Sequence, residues 1–170
     1  SDSRSKENKM TTSEHPAAAS GDPEVPETGA VFTFGKSKFA ENAPSKFWIK
    51  NDVIVELSCG DEHTAVVTGS GRLFTFGSNE WGQLGLGHNN NVLKPSCVKA
   101  LKPDQVKHVA CGKAHTAVAM KSGKLYAFGS NSDGQLGTGR TPEWTNKPLE
   151  LSEGRGIKNE GKFEKCAKTT

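Results

Sequence analysis

The chain has 170 residues, 33% of them hydrophobic, and a formal net charge of +3 from 22 Lys and Arg against 19 Asp and Glu. That length suits about one domain, and the low apolar content confines any core to the centre, because both ends are polar. The basic residues are scattered rather than gathered into runs, which does not resemble the electrostatic footprint of a nucleic-acid binder and leaves polyanion binding unsupported, and no stretch approaches the roughly 20 apolar residues of a membrane span.

Residues 1–28 are rich in Ser, Thr, Glu, Pro and Ala and carry three basic against six acidic side chains. Such a segment buries too little apolar surface to offset its ordering entropy, so 1–28 is predicted to be disordered. The first methionine is Met10, and the reading frame is expected to begin upstream of Ser1.

From residue 57 the chain repeats itself. Residues 57–87 realign on 109–139 at a constant offset of 52, without gaps, and eighteen of the thirty-one pairs are identical. Cys59-Gly60 becomes Cys111-Gly112, His63-Thr64-Ala65-Val66 becomes His115-Thr116-Ala117-Val118, and Phe76-Gly77-Ser78-Asn79 becomes Phe128-Gly129-Ser130-Asn131. Gly82-Gln83-Leu84-Gly85 becomes Gly134-Gln135-Leu136-Gly137. One fixed spacing over this length marks a repeat architecture. A partial copy lies upstream, where Gly29-Ala30-Val31-Phe32-Thr33-Phe34-Gly35 parallels 71–77 and 123–129 before departing into Lys36-Ser37-Lys38-Phe39-Ala40-Glu41-Asn42.

Within a period the signals are those of short strands. Val106 to Ala110, Thr116 to Met120 and Lys124 to Phe128 are β-branched, apolar or alternating, with a hairpin turn at Lys121-Ser122-Gly123 and its counterpart at Thr68-Gly69-Ser70-Gly71. A fourth strand is predicted at Ser96 to Leu101, after Lys94-Pro95, with its counterpart beginning after Lys147-Pro148. Four strands per period of about fifty residues is the size of a propeller blade, so the expected fold is all-β, a partial, open propeller. The expected organisation is a partial repeat at 29–56, repeats at 57–108 and 109–151, and a disordered divergent tail at 152–170.

The candidate structural positions are Gly35, Gly60, His63, Gly77, Gly82, Gly85, Gly112, His115, Gly129, Gly134 and Gly137. Their glycines are expected where φ is positive or where the backbone lies against the next blade, and alanine there should destabilise. Trp81 and Trp144 fall in variable stretches between the matching ones and are the candidate partner-binding residues, although tryptophan more often packs over a blade edge.

Other chemistry is poorly served. Gly35-Lys36-Ser37 lacks the upstream glycine of a phosphate loop, since Ala30 stands there. Cys59, His63, Cys111 and His115 have the types of a zinc set, but repeat rotation carries equivalent positions apart, and buried apolar cysteines with bridging histidines are the plainer reading. Neither a Gly-x-Ser-x-Gly elbow nor a His-Glu-x-x-His is present, so no catalytic residue, metal or cofactor is assigned. Cys59, Cys97, Cys111 and Cys166 lie far apart, as suits free thiols in a reducing cytoplasmic compartment, and Cys166 is misplaced for prenylation.

The pieces Cys-Gly-x-x-His-Thr, Gly-x-Leu-[Phe/Tyr]-x-Phe-Gly-Ser-Asn and Gly-Gln-Leu-Gly resemble the repeat of the regulator-of-chromosome-condensation family. The resemblance covers about residues 29–139 and implies a seven-bladed propeller, of which this chain holds about two and a half blades. The irregular 29–42 stretch with Lys46-Phe47-Trp48 resembles a ciliary, GTPase-regulating branch of the family. That branch implies a protein-interaction module at the ciliary base, basal body and connecting cilium. The implied partners are a ciliary scaffold protein, the prenyl-binding delta subunit of rod phosphodiesterase, and small GTPases, with neither nucleic acid nor membrane insertion. The alternatives are guanine-nucleotide exchange on a small GTPase, which needs no nucleophile, and a truncated splice product without a folded role. Since one chain of this length cannot close the ring, the isolated product is expected to be poorly stable.

Overall fold

The computed structural model describes residues 11–12, 24–34 and 45–151. Most of the polar stretch 1–28, Gly35, the irregular 36–42 and the tail 152–170 lie outside the described residues.

Three sheets follow one another. β1 (Thr11–Thr12), β2 (Val31–Thr33) and β3 (Ser45–Trp48) form a three-stranded sheet in the order β1-β3-β2. β4 (Ile54–Cys59), β5 (His63–Thr68), β6 (Leu73–Gly77) and β7 (Val92–Cys97) form an antiparallel meander, and β8 (Val106–Cys111), β9 (His115–Met120), β10 (Leu125–Ser130) and β11 (Trp144–Leu151) form a second. Among the described residues the fold is all-β apart from a 3-10 turn at Lys99–Leu101, and it is a partial propeller of two four-stranded blades beside a three-stranded sheet. Both β5/β6 and β9/β10 hairpins close on a glycine of positive φ, Gly71 at +82° and Gly123 at +90°, which lets a tight turn match the twist of its strands.

The fourth strand differs from its sequence prediction. It begins at Val92 rather than Ser96, and at Trp144 rather than after Pro148, while 99–101 is helical. Proline normally terminates a strand because it donates no ladder hydrogen bond. Here Pro95 and Pro148 lie in outer strands, opposite register shifts at Thr75/Gly77 and Ala127/Gly129, where a bulge removes the need for that donor.

Alternation decides what each face buries. The β4–β7 sheet turns Ala65, Val67 and Leu73 toward Val109, Cys111, Val118 and Phe128 of the next sheet, with Val98 and Leu101 sealing the outer side. Its other face carries Val66 and Phe74 against Val31 and Phe47 of the three-stranded sheet and Ile49 just after it, where the rings of Phe47 and Phe76 meet edge-on at 5.4 Å. β2 and β3 correspond to β6 and β7, so among the described residues they cover only the outer half of that face. Val55 and Leu57 on the inner strand β4 are accordingly 59% and 53% exposed, whereas Val109 and Cys111, at the positions equivalent to Leu57 and Cys59, are buried.

A second repeated device ties the connection before each blade to its hairpin. The Asp52 carboxylate accepts hydrogen bonds from the Ser70 backbone (3.1 Å) and hydroxyl and pairs with Arg72 at 2.8 Å. Burial opposes its charge, but the bonds from Ser70, Arg72 and Thr68 prevail and hold its pKa below the usual carboxylate value. Fifty-two residues on, Asp104 accepts a hydrogen bond from Ser122, and Lys124 takes the place of Arg72.

Candidate protein-interaction rim

Gly60 and Gly112 follow strands β4 and β8 and begin four-residue turns, in which Gly60 N–H donates to the His63 carbonyl (2.8 Å) and Gly112 N–H to that of His115 (2.9 Å). Neither has a positive φ. The constraint is space, since a Cβ on either would overlap the imidazole of its own histidine.

That packing aims His63 across the seam between the blades. Its Nε2 lies 3.0 Å from Thr116 Oγ1 on β9, and the Thr116 hydroxyl donates onward to the Gln83 carbonyl at 2.8 Å. Since the hydroxyl proton is committed to Gln83, Nε2 carries the hydrogen and Nδ1 is the neutral, bare nitrogen, buried without a partner. Burial, reinforced by the neighbouring His115, pulls the His63 pKa down to about 4. His115 is lowered as well, by burial. Ser58 adds two links from β4, its hydroxyl accepting from Cys111 N–H at 2.9 Å and its carbonyl from Cys111 Sγ at 3.5 Å. Burial pushes the Cys111 thiol up to about 12, consistent with an inert, apolar role.

The Gly-Gln-Leu-Gly segment fills the same seam. Leu84 is fully buried, with its carbonyl accepting from Thr75 at 2.8 Å. Gly82 (φ +75°) lies against Asn146 of β11, and Gly85 (φ +68°) lies under the Phe128 ring, where a Cβ would be 2.8 Å from the nearest ring atom. Gly77 and Gly129, with φ of +110° and +108°, pass over the backbone of the preceding turn at Glu62 and Ala114. Gly134 and Gly137 repeat the positive φ of Gly82 and Gly85, but nothing described lies within 3.4 Å of a Cβ at either.

Above this seam two buried asparagines build the rim loops. Asn79 accepts from Leu84 N–H at 3.1 Å and donates to the carbonyls of His88 (2.7 Å) and Asn90 (3.0 Å). Asn131 accepts from Leu136 N–H at 3.0 Å and donates to the carbonyls of Gly139 (3.1 Å) and Pro142 (2.7 Å). Each side chain spans a loop that has no ladder of its own and satisfies its inward-facing backbone groups. Both asparagines recur at the 52-residue offset, but the carbonyls they hold belong to unlike residues, His88 and Asn90 against Gly139 and Pro142, and carry no sequence signature.

The first loop lies across the next blade. Gly87 N–H donates to the Asn146 carbonyl at 2.8 Å, and Asn146 Nδ2 donates to Asn89 Oδ1 at 2.7 Å. Trp81 immediately precedes Gly82, which touches Asn146, and Trp144 stands two residues before Asn146, so both tryptophans come to one end of one blade seam, 45% and 43% exposed. Trp144, expected in a loop, is the first residue of β11. Cys59 is exposed and Cys111 buried, and among the described residues no three His, Cys, Asp or Glu side chains are placed to hold a metal ion. The Gly35-Lys36-Ser37 stretch lies outside the described residues.

A family model described as the regulator of chromosome condensation (RCC1) repeat matches residues 70–119 and 122–166, and a second model of the same repeat matches 54–83 and 106–135. The X-linked retinitis pigmentosa GTPase regulator of Canis lupus familiaris is 64% identical over 125 residues, covering 72% of this chain and 12% of that protein. Its Homo sapiens counterpart is 65% identical over 119 residues, covering 70% of this chain and 12% of that protein. The chain thus spans 12% of the length of these curated relatives. Among solved structures, Prp20p of Saccharomyces cerevisiae superposes with a TM-score of 0.64 over 81% of this chain and 36% of that one, at 19% identity, a likeness of fold alone.

Proposed function

The chain belongs to the regulator of chromosome condensation repeat family, and from that premise we propose that it is a protein-binding propeller module of a ciliary GTPase regulator. The observation that carries this reading is the placing of Trp81 and Trp144 at one blade seam, on elements held by Asn79, Asn146 and Asn131. Tryptophan offers a large, rigid contact area at little entropic cost, and loops braced from beneath present it without reorganisation. In this reading the partners are a ciliary scaffold protein, the prenyl-binding delta subunit of rod phosphodiesterase and small GTPases, met at the ciliary base, basal body and connecting cilium. Identity to the retinitis pigmentosa GTPase regulators supports it.

The test is capture of the purified delta subunit and of a small GTPase by the 170-residue chain. A Trp81→Ala/Trp144→Ala variant should lose roughly tenfold or more in affinity, as hot-spot truncation does, while keeping its β-sheet circular dichroism. Unchanged affinity in a folded variant overturns the rim assignment. A second reading, nucleotide exchange, is favoured by the name shared by those relatives and is separable by rate: an exchange factor accelerates release of labelled GDP from its cognate GTPase, and a scaffold binds without altering it.

A further inference from the structure

We infer that the end of the blade stack opposite the tryptophans is a separate docking surface for an acidic polypeptide. This end is formed by the connection around Lys50–Val53, the two hairpin turns and the 98–105 connection. Hydrogen bonds stitch them into one surface: Gly69 N–H to the Val53 carbonyl (2.8 Å), Val106 N–H to that of Gly71 (2.9 Å), and Lys121 N–H to that of Gln105 (2.7 Å).

The charge on it is unbalanced. Lys50, Arg72, Lys99, Lys102, Lys121 and Lys124 are gathered there, and all but Arg72 are exposed. Within these elements and the adjoining end of β11, three carboxylates lie beside the cations, and each is engaged within the molecule. Asp52 is buried against Arg72 and Ser70, Asp104 accepts from Ser122, and Glu150 pairs with Lys124 at 3.3 Å. Lys121 Nζ donates to the neutral Gln105 Oε1 at 2.7 Å, which positions the ammonium without cancelling its charge. At the tryptophan end the balance reverses, with Asp61, Glu62, Glu80, Asp133 and Glu143 outnumbering Lys113, Arg140 and Lys147. Among the described residues of these elements the two ends therefore differ in sign, a separation that steers partners by charge.

The partner's chemistry follows from what lies between the cations. The large apolar side chains exposed beside the Gly69 turn are Val53 and Val55, two short β-branched groups that give no deep apolar wedge for a lipid surface. Asp104 and Glu150 stand among the lysines and meet the continuous charge of a duplex with repulsion. An extended peptide rich in Glu or Asp can set its carboxylates beside Lys50, Lys99, Lys102 and Lys121 and offer its backbone to the polar groups between.

The experiment measures binding of a fluorescent poly-glutamate peptide, phosphatidylserine vesicles and random-sequence duplex DNA to the 170-residue chain and two variants. The expected result is salt-sensitive binding of the peptide, weakened roughly tenfold by Lys99→Glu/Lys102→Glu/Lys121→Glu and not by Glu80→Lys/Asp133→Lys. All five positions are exposed, and matching circular dichroism shows that each variant keeps the fold. Absence of peptide binding, equal loss in both variants, or preferential binding of vesicles or duplex overturns the assignment. The rim reading stands or falls separately, because its tryptophans lie at the other end.

Discussion

His63 and Thr116, on β5 of one blade and β9 of the next, meet at 3.0 Å across the seam, and the buried imidazole faces Thr116 with one nitrogen while the other has no partner. The pair is a hydrogen-bonded cross-link whose imidazole is buried, and burial, which opposes a proton on Nδ1, sets its energetics.

The seam should therefore weaken in acid. An unfolded-state histidine titrates near 6.5, whereas in the fold His63 resists protonation until about pH 4. Between those values only the unfolded chain takes up the proton. The contribution of His63 is thus complete above about pH 6.5 and is lost as pH falls toward 4, amounting to roughly 3 kcal/mol. His115 acts in the same direction. Urea titrations from pH 7.5 to 4 should show this slope, and His63→Gln should flatten it while lowering stability at neutral pH. An unchanged slope in that variant would exclude His63 as the source.

Equivalent glycines should tolerate alanine unequally. Gly85→Ala adds a methyl group against the Phe128 ring as well as left-handed strain, and should cost about 3 kcal/mol. Gly137→Ala meets no described atom within 4 Å and should cost only the strain, about 1 kcal/mol. Chemical denaturation of the two variants checks the difference, which isolates the packing of one blade on the next.

Removal of Asn79 should loosen one rim loop. Asn79→Ala strands the carbonyls of His88 and Asn90 and the N–H of Leu84 and should cost about 2 kcal/mol. Hydrogen exchange should accelerate at Leu84 while the β5 amides keep most of their protection. Uniform acceleration through both blades would mean that the loop does not open by itself.

Thiol labelling should discriminate among the cysteines. Cys59 is exposed, Cys97 is half-buried with its thiol pushed up by burial, and Cys111 is buried with its pKa raised to about 12. Among these three, at pH 8 in native buffer, Cys59 should modify first and Cys111 only on unfolding. Mass spectrometry after brief reaction with a maleimide reads the order directly.

The amino-acid order by itself determined the period, the strand-forming stretches and the glycine positions, because each is a local requirement: a turn needs positive φ, a half-buried strand needs alternation. A fixed offset of 52 then exposed the repetition. Local signals failed where a neighbour supplied the missing condition. Pro95 and Pro148 read as strand boundaries but lie within β7 and β11, since a bulge beside an outer strand spares the hydrogen bond that proline lacks. Asp52 and Asp104, Ser70 and Ser122 repeat at the same offset and fall outside the 57–87 match or inside a turn, so their role emerged only with the latch they form. The meeting of Gly82 with Asn146 on the strand that begins at Trp144, the crossing from His63 to Thr116 and the opposite charge of the two ends belong to the tertiary structure. They join groups about fifty residues or more apart, and only the stacking of one sheet on the next brings such groups within reach.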